Sequence, residues 1–237
     1  MNTQHIVRSF DVDLNFLANK LAEMGGHAER MVEAAVQALV SADSVKARRV
    51  IQEDAVLDAI QREIDDRAIV TIGKRQPLAG DLREIIGSIR IASDLERVGD
   101  LGKNIAKRIV AIGDAAQPVQ LSRGLLAFSE LTLIQLKEVL DAYASRSVEG
   151  LTALRNRDRD IDAMHTSLFR ELLTYMMEDP RNISPCTHLL FCAKNIERIG
   201  DHATNIAETV YYIVTGEQMP IERQKQDVTH TVVTPQG

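Results

Sequence analysis

The stretch Asp94–Ala106 reads Asp-Leu-Glu-Arg-Val-Gly-Asp-Leu-Gly-Lys-Asn-Ile-Ala, and it comes back. The second copy, Asn195–Ala207, reads Asn-Ile-Glu-Arg-Ile-Gly-Asp-His-Ala-Thr-Asn-Ile-Ala. Both keep the frame Glu-Arg-x-Gly-Asp-x-x-x-Asn-Ile-Ala. Glu96, Arg97, Gly99, Asp100, Asn104, Ile105 and Ala106 recur as Glu197, Arg198, Gly200, Asp201, Asn205, Ile206 and Ala207. Two unrelated helices would share roughly one such identity, and self-similarity at a fixed spacing marks a duplicated architecture. The chain is therefore expected to fold as two related halves, each built round one copy. Of its 237 residues, each half takes about 110, enough for a core.

Within each half the pattern is helical. Ala, Leu, Ile, Glu and Arg dominate, and there is no Trp; these residue types favour helix. Apolar residues recur at three- and four-residue steps. The first helix is expected from about His5 to Val40, with Leu14, Leu17, Leu21, Met24, Ala28 and Met31 on its apolar stripe. Gly25-Gly26 in its middle permits a bend or a close approach of a neighbour. A turn at Ser41–Ser44 leads to a second helix, Val45 to Arg75, which Pro77 breaks. The third runs from Ala79 or Asp81 to Gly113 and carries the first signature. Gly113–Pro118 reads as a linker. The fourth helix is expected from Ser122 to Ala144. The fifth spans Val148 to Met177 with Ser147 as N-cap. The sixth opens on Ser184 as N-cap with Pro185 at the first helical position, and it ends before Gly216. The expectation is an all-α fold of two tandem antiparallel three-helix bundles, residues 1–115 and 119–216, followed by a mobile polar tail, 217–237. Helices of 30 residues span about 45 Å, so the molecule should be elongated.

Charge and composition remove several classes. The net charge is −6 and the pI about 5.6, against the basic balance of nucleic-acid-binding modules. Cys186 and Cys192 have no His or Cys companions at zinc spacing, so they read as reduced, buried thiols of a cytoplasmic protein. The N-terminus lacks the pattern of a signal peptide, and no apolar run is long enough to span a bilayer. Gly-rich phosphate loops and Gly-x-Ser-x-Gly elbows are also missing, so an enzyme is not expected.

The chemistry-bearing residues are carboxylates. Glu96 and Asp100 lie one turn apart on one helix face, and Glu197 and Asp201 repeat them. The preceding helix of each half carries its own pair, Asp54 with Asp58 and Asp158 with Asp162. Consecutive helices are neighbours, so each half can gather four carboxylates. Their mutual repulsion calls for a cation, and oxygen ligands suit hard or borderline ions. The bland alternative is a solvated face on which Arg97 and Arg198 pair with the acids. Gly99 and Gly200, between the acids, cost helix stability and point to close helix approach or room for ions. A rival reading is a di-metal carboxylate oxidase, whose bundles use paired Glu-x-x-His motifs. Asp162-Ala-Met-His165 is the one approximation, and the first half has no counterpart, so His165 reads better as a packing or surface residue, as does the unmatched His202.

The duplicated signature, the Asp-x-x-x-Asp on each preceding helix, and Arg75-Gln-Pro-Leu-Ala-Gly-Asp-Leu-Arg83 together resemble the PhoU family of phosphate-transport regulators. The resemblance covers about residues 5 to 215. It departs in the second half, where Met176-Met-Glu-Asp-Pro180 replaces the Arg-Gln-Pro-Leu-Ala turn, so the halves need not bind metal equally. The resemblance implies two three-helix bundles and metal ions (Fe, Zn, Mn or Mg) on the acid motifs. Carried over, one site uses Asp54, Asp58, Glu96 and Asp100, and the other Asp158, Asp162, Glu197 and Asp201. It implies a negative regulator of the phosphate-starvation response. Such a protein is an adaptor between the ATPase subunit of the phosphate ABC transporter and a sensor histidine kinase. It is a homodimer that reaches the membrane only through its partners.

Overall fold

A computed structural model describes residues 3–113 and 119–220. Six long helices account for nearly all of it: α1 (Thr3–Val40), α2 (Ser44–Arg75), α3 (Ala79–Ile112), α4 (Val119–Ser145), α5 (Leu151–Glu178) and α6 (Ile183–Thr215). The expected linker falls largely at 114–118, outside the described residues.

Local chemistry sets the helix ends. Asp43 caps α2 by accepting a hydrogen bond from the Lys46 amide at 2.9 Å, which satisfies one of the free donors of the first turn. Two starts differ from expectation. Helix α5 begins at Leu151 rather than Val148, because Gly150 takes a left-handed φ of 84° and Ser147 spends its hydroxyl on the Glu149 amide, 3.1 Å away. Helix α6 begins at Ile183, ahead of the Ser184-Pro185 pair. Asp179 accepts from the Arg181 amide and opens a single 3-10 turn, Pro180–Asn182, that runs straight into α6. Pro185 then lies within the first turn, where its missing N–H has no partner to lose.

Helices α1, α3, α4 and α6 form the centre, and α2 and α5 flank it on opposite sides. The halves lie side by side along their whole length, not end to end. Helices α3 and α6 share the longest seam and run antiparallel: Gly87 faces Ile213, Asp94 faces His202, and Arg108 stacks 4.1 Å over the Phe191 ring. Helices α1 and α4 form a second antiparallel seam. Gly25 sits there under Leu140, whose Cδ1 lies 2.7 Å from where a Cβ would be; the glycine serves close approach, and α1 continues unbroken. One hydrophobic core, from Leu17 in α1 to Ile213 in α6, runs through both halves. Glu84 of α3 adds a polar clasp between them. It accepts from the buried Tyr143 hydroxyl at 2.9 Å and from Arg146 of the α4 C-terminal turn. Burial beside this carboxylate pushes the Tyr143 hydroxyl up to about 12.

Cys186 and Cys192 are buried and unpaired, and burial holds the Cys192 thiol up at about 12, so neither is poised as a nucleophile. The polar tail expected from Glu217 is not free at its start, since Met219 is 6% exposed and joins the core. Its remainder, 221–237, lies outside the described residues.

Candidate functional site

The first acidic patch lies on the seam between α2 and α3. Asp54 and Asp58 face Glu96 and Asp100 across it, as the spacing predicts. The Lys103 ammonium joins the two helices, 2.5 Å from Asp54 Oδ2 and 3.1 Å from Asp100 Oδ1. Arg97 reaches Glu96 and Asp100 at 3.4 Å each. Its side chain is 58% exposed, so these pairs add little. Burial, then the neighbouring Asp100, hold the Glu96 carboxyl above its ordinary range; Arg97 opposes this, and Asp58 and Asp54 add to it. Lys103 is also raised, chiefly by its hydrogen bond to Asp54.

That shift makes stability depend on pH. Glu96 takes up its proton more readily folded than unfolded, so its charge costs nothing in acid, and the cost grows as pH rises through the folded value. Glu96→Gln should therefore melt higher than the parent at about pH 7 and level with it at about pH 4, since free glutamate titrates near 4.3. Thermal melts across this range check it; equal shifts at both ends would contradict the assignment.

The second patch, between α5 and α6, lies deeper. Glu197 is 2% and Asp162 5% exposed, whereas Asp158 and Asp201 are half-buried. Lys194 pairs with Glu197 at 2.9 Å. Thr204 donates to Asp158 at 3.2 Å, and Gln135 of α4 donates to Thr204 at 3.0 Å. The other oxygen of Gln135, Oε1, is buried without a hydrogen-bond partner. His165 is buried and stacks on Phe128, their ring centroids 6.3 Å apart, so it packs as expected. Asn205 and His202 point elsewhere. Both meet Asp94 of the other half, at 3.4 Å and 2.8 Å.

The glycines between the acids set the spacing of both seams. A Cβ on Gly99 would fall inside the Leu57 side chain, and one on Gly200 would stand 3.1 Å from Ile161 Cδ1. Leu57 is 1% exposed and has nowhere to move. Gly99→Ala should therefore destabilise by about 1–2 kcal/mol, because overpacking of about 1–3 kcal/mol outweighs the helix-propensity gain of about 1 kcal/mol. Gly200→Ala, needing only a small adjustment of Ile161, should be near neutral. Denaturant titrations of the two variants check the order; equal costs would contradict it.

A hard cation suits the donor chemistry of both patches, all carboxylate oxygens, but not their geometry equally. Among the described residues no three His, Cys, Asp or Glu side chains converge closely enough to share an ion, so loading either patch requires its acids to turn. In the second patch the spare oxygen of Gln135 is available to a cation. In the first, Lys103 already stands between the helices, so a metal does not fit there as the patch stands. Sequence reasoning placed the eight acids but missed Lys103, Thr204 and Gln135. Positions 103 and 204 are matched by the repeat and lie one turn beyond Asp100 and Asp201, which was the available signal.

The fold and the duplicated motif agree with comparisons to known proteins. The family model described as "PhoU domain" matches residues 21–109 and again 125–210. A Rhizobium meliloti protein described as a phosphate-specific transport system accessory protein PhoU homolog is 62% identical over 98% of both chains. A Caulobacter vibrioides protein with the same description is 43% identical over 95% of this chain and 98% of its own. The crystal structure of PhoU from Pseudomonas aeruginosa superposes with a TM-score of 0.81 at 36% identity, covering 88% of this chain and all of that one. Among the described residues no helix is long and apolar enough to cross a membrane. On a matching fold, two matches to one domain model and relatives aligned end to end, the chain belongs to the PhoU family.

Proposed function

We propose that this protein is a cytoplasmic, non-catalytic regulator of phosphate uptake that holds the phosphate-starvation response off when phosphate is plentiful. The observation that carries the reading is its near full-length identity with relatives described as accessory proteins of phosphate-specific transport. In this reading it is an adaptor, and a homodimer, between the ATPase subunit of a phosphate ABC transporter and the cytoplasmic part of a sensor histidine kinase. An adaptor changes a kinase's balance only by binding its two states with different affinity. Two features support a binding role. The helical body presents long surfaces, and apolar side chains stay exposed at corresponding ends of the two halves, Ile69 and Leu82 in one, Leu173 and Ile183 in the other. The acidic patches would take metal ions where their charge is not otherwise met. An oxidase gains no support, since His165 is packed against Phe128.

The test is direct binding. The purified chain should bind the immobilised cytoplasmic domain of the cognate phosphate-response kinase, and the cognate transporter ATPase, saturably and with Kd on the order of 1 μM, about 8 kcal/mol. Binding to neither would sink the adaptor reading.

A further inference from the structure

The two signature copies differ at one position that faces the acids. Lys103 and Thr204 hold the same place in the repeat, three residues after Asp100 and Asp201. Both reach across their seam to the corresponding aspartate of the outer helix. Lys103 meets Asp54 at 2.5 Å, and Thr204 meets Asp158 at 3.2 Å. The geometry is duplicated, but the charge is not. Lys103 brings an ammonium that also lies 3.1 Å from Asp100, so it touches carboxylates of both helices, as a bridging cation would. Thr204 brings a hydroxyl, which satisfies a lone pair and neutralises nothing.

The second patch differs in two further ways. Its acids are deeper, Glu197 and Asp162 being buried, and low-dielectric surroundings make uncompensated charge costly. Beside Thr204 sits Gln135, fully buried, whose Nε2 is spent on Thr204 and whose Oε1 has no hydrogen-bond partner. A buried orphan carbonyl oxygen costs about 1–3 kcal/mol and is a ready ligand for a hard cation.

We infer that the two halves divide the work: Lys103 is the built-in cation of the first patch, and metal ions are taken up by the second patch alone, with Gln135 as an additional oxygen donor. The inference rests on the metal reading of the patches given above. It deepens that reading by saying which half takes the ion and which residue prevents the other from doing so. A mobile ion can come and go, whereas Lys103 cannot leave. The first half would then hold one shape whatever the metal supply, and the second would respond to it.

The test counts ions on the full chain. Protein stripped with chelator is titrated with Mn(II), and free ion is read by its EPR signal while bound metal is counted by elemental analysis after desalting. The wild type should bind at the second patch only. Asp158→Asn should weaken that binding at least 10-fold, Gln135→Leu should weaken it less, and Asp54→Asn should leave it unchanged. Lys103→Thr should raise the number of bound ions by opening the first patch. Lys103→Gln, which keeps a hydrogen-bond donor without the charge, guards against a variant that fails to fold, as judged by circular dichroism. If Asp54→Asn weakens binding as much as Asp158→Asn, or if neither lysine variant gains ions, the division between halves is wrong while metal binding stands. If the wild type and all variants bind none, the metal reading itself falls and the inference with it.

Discussion

A fragment ending at Gly113 should not fold into a stable monomeric bundle. Helix α3 is covered on several sides: by α1 and α2 of its own half and, along its length, by α6 of the other. Ile85, Ile91, Leu95, Val98 and Ile105 are all fully buried, and a helix apolar around so much of its surface needs partners on every side. Cutting the chain uncovers the α6-facing strip, Gly87 loses Ile213, and Glu84 loses both Tyr143 and Arg146. Uncovering each large apolar side chain costs about 1.5–3 kcal/mol, so three or four reach the whole net stability of a typical domain, about 5–15 kcal/mol. The fragment should show helix by circular dichroism, a broad non-cooperative melt, and either dye binding or self-association through the exposed strip. A sharp melt within about 10 °C of the intact chain, in a monomer by sedimentation, would show that the halves are independent; a loss of about 3 kcal/mol in a chain of this size would already move Tm by that much.

Phe128→Ala should be the most damaging single change in the second half. Phe128 is the largest of the fully buried side chains and stacks on His165, which follows Asp162 by one turn on α5. Truncation removes the ring's burial and leaves a cavity between α4 and α5. Such changes cost about 3–5 kcal/mol, or a fall in Tm of roughly 6–20 °C for a chain of this length. Phe128→Leu, which keeps most of the volume, should cost less than half as much. Because His165 and the buried Asp162 lose their support together, the alanine variant should also weaken ion binding at the second patch, and the leucine variant should not. Calorimetry and the Mn(II) titration read the two effects separately; a loss of under 1 kcal/mol would mean that α4 and α5 close over the gap.

Much of this was legible in the sequence, and what was not has a physical reason. The helices followed from periodicity, and Pro77 and Gly216 marked ends correctly, because those residues act on the backbone locally. The starts of α5 and α6 were misplaced because competing caps stood within a few residues. Gly150 outranked Ser147, and Asp179-Pro180 outranked Ser184-Pro185, choices decided by backbone angles that a sequence does not print. The duplicated glycines announced close packing, and the structure supplied Leu57 and Ile161 as the reasons. The side-by-side docking of the halves was not readable, since the residues that make it, Ile213, Tyr143 and Phe191, look like those of any buried helix. At the acidic patches the eight carboxylates were found by spacing. Their neutralisation was not, because Lys103 and Thr204 sit in the variable part of a repeat whose identities drew the eye.

The measurement that tests the account most directly is a phosphate-starvation reporter in phosphate-rich cells lacking this protein. The reporter should fire in those cells and fall silent when the wild-type chain is restored. A variant with Glu96, Asp100, Glu197 and Asp201 all changed to Ala, if folded and expressed, should fail to silence it, since the acids are then working parts and not scaffold. A reporter that stays silent without the protein would contradict the regulatory role at its root.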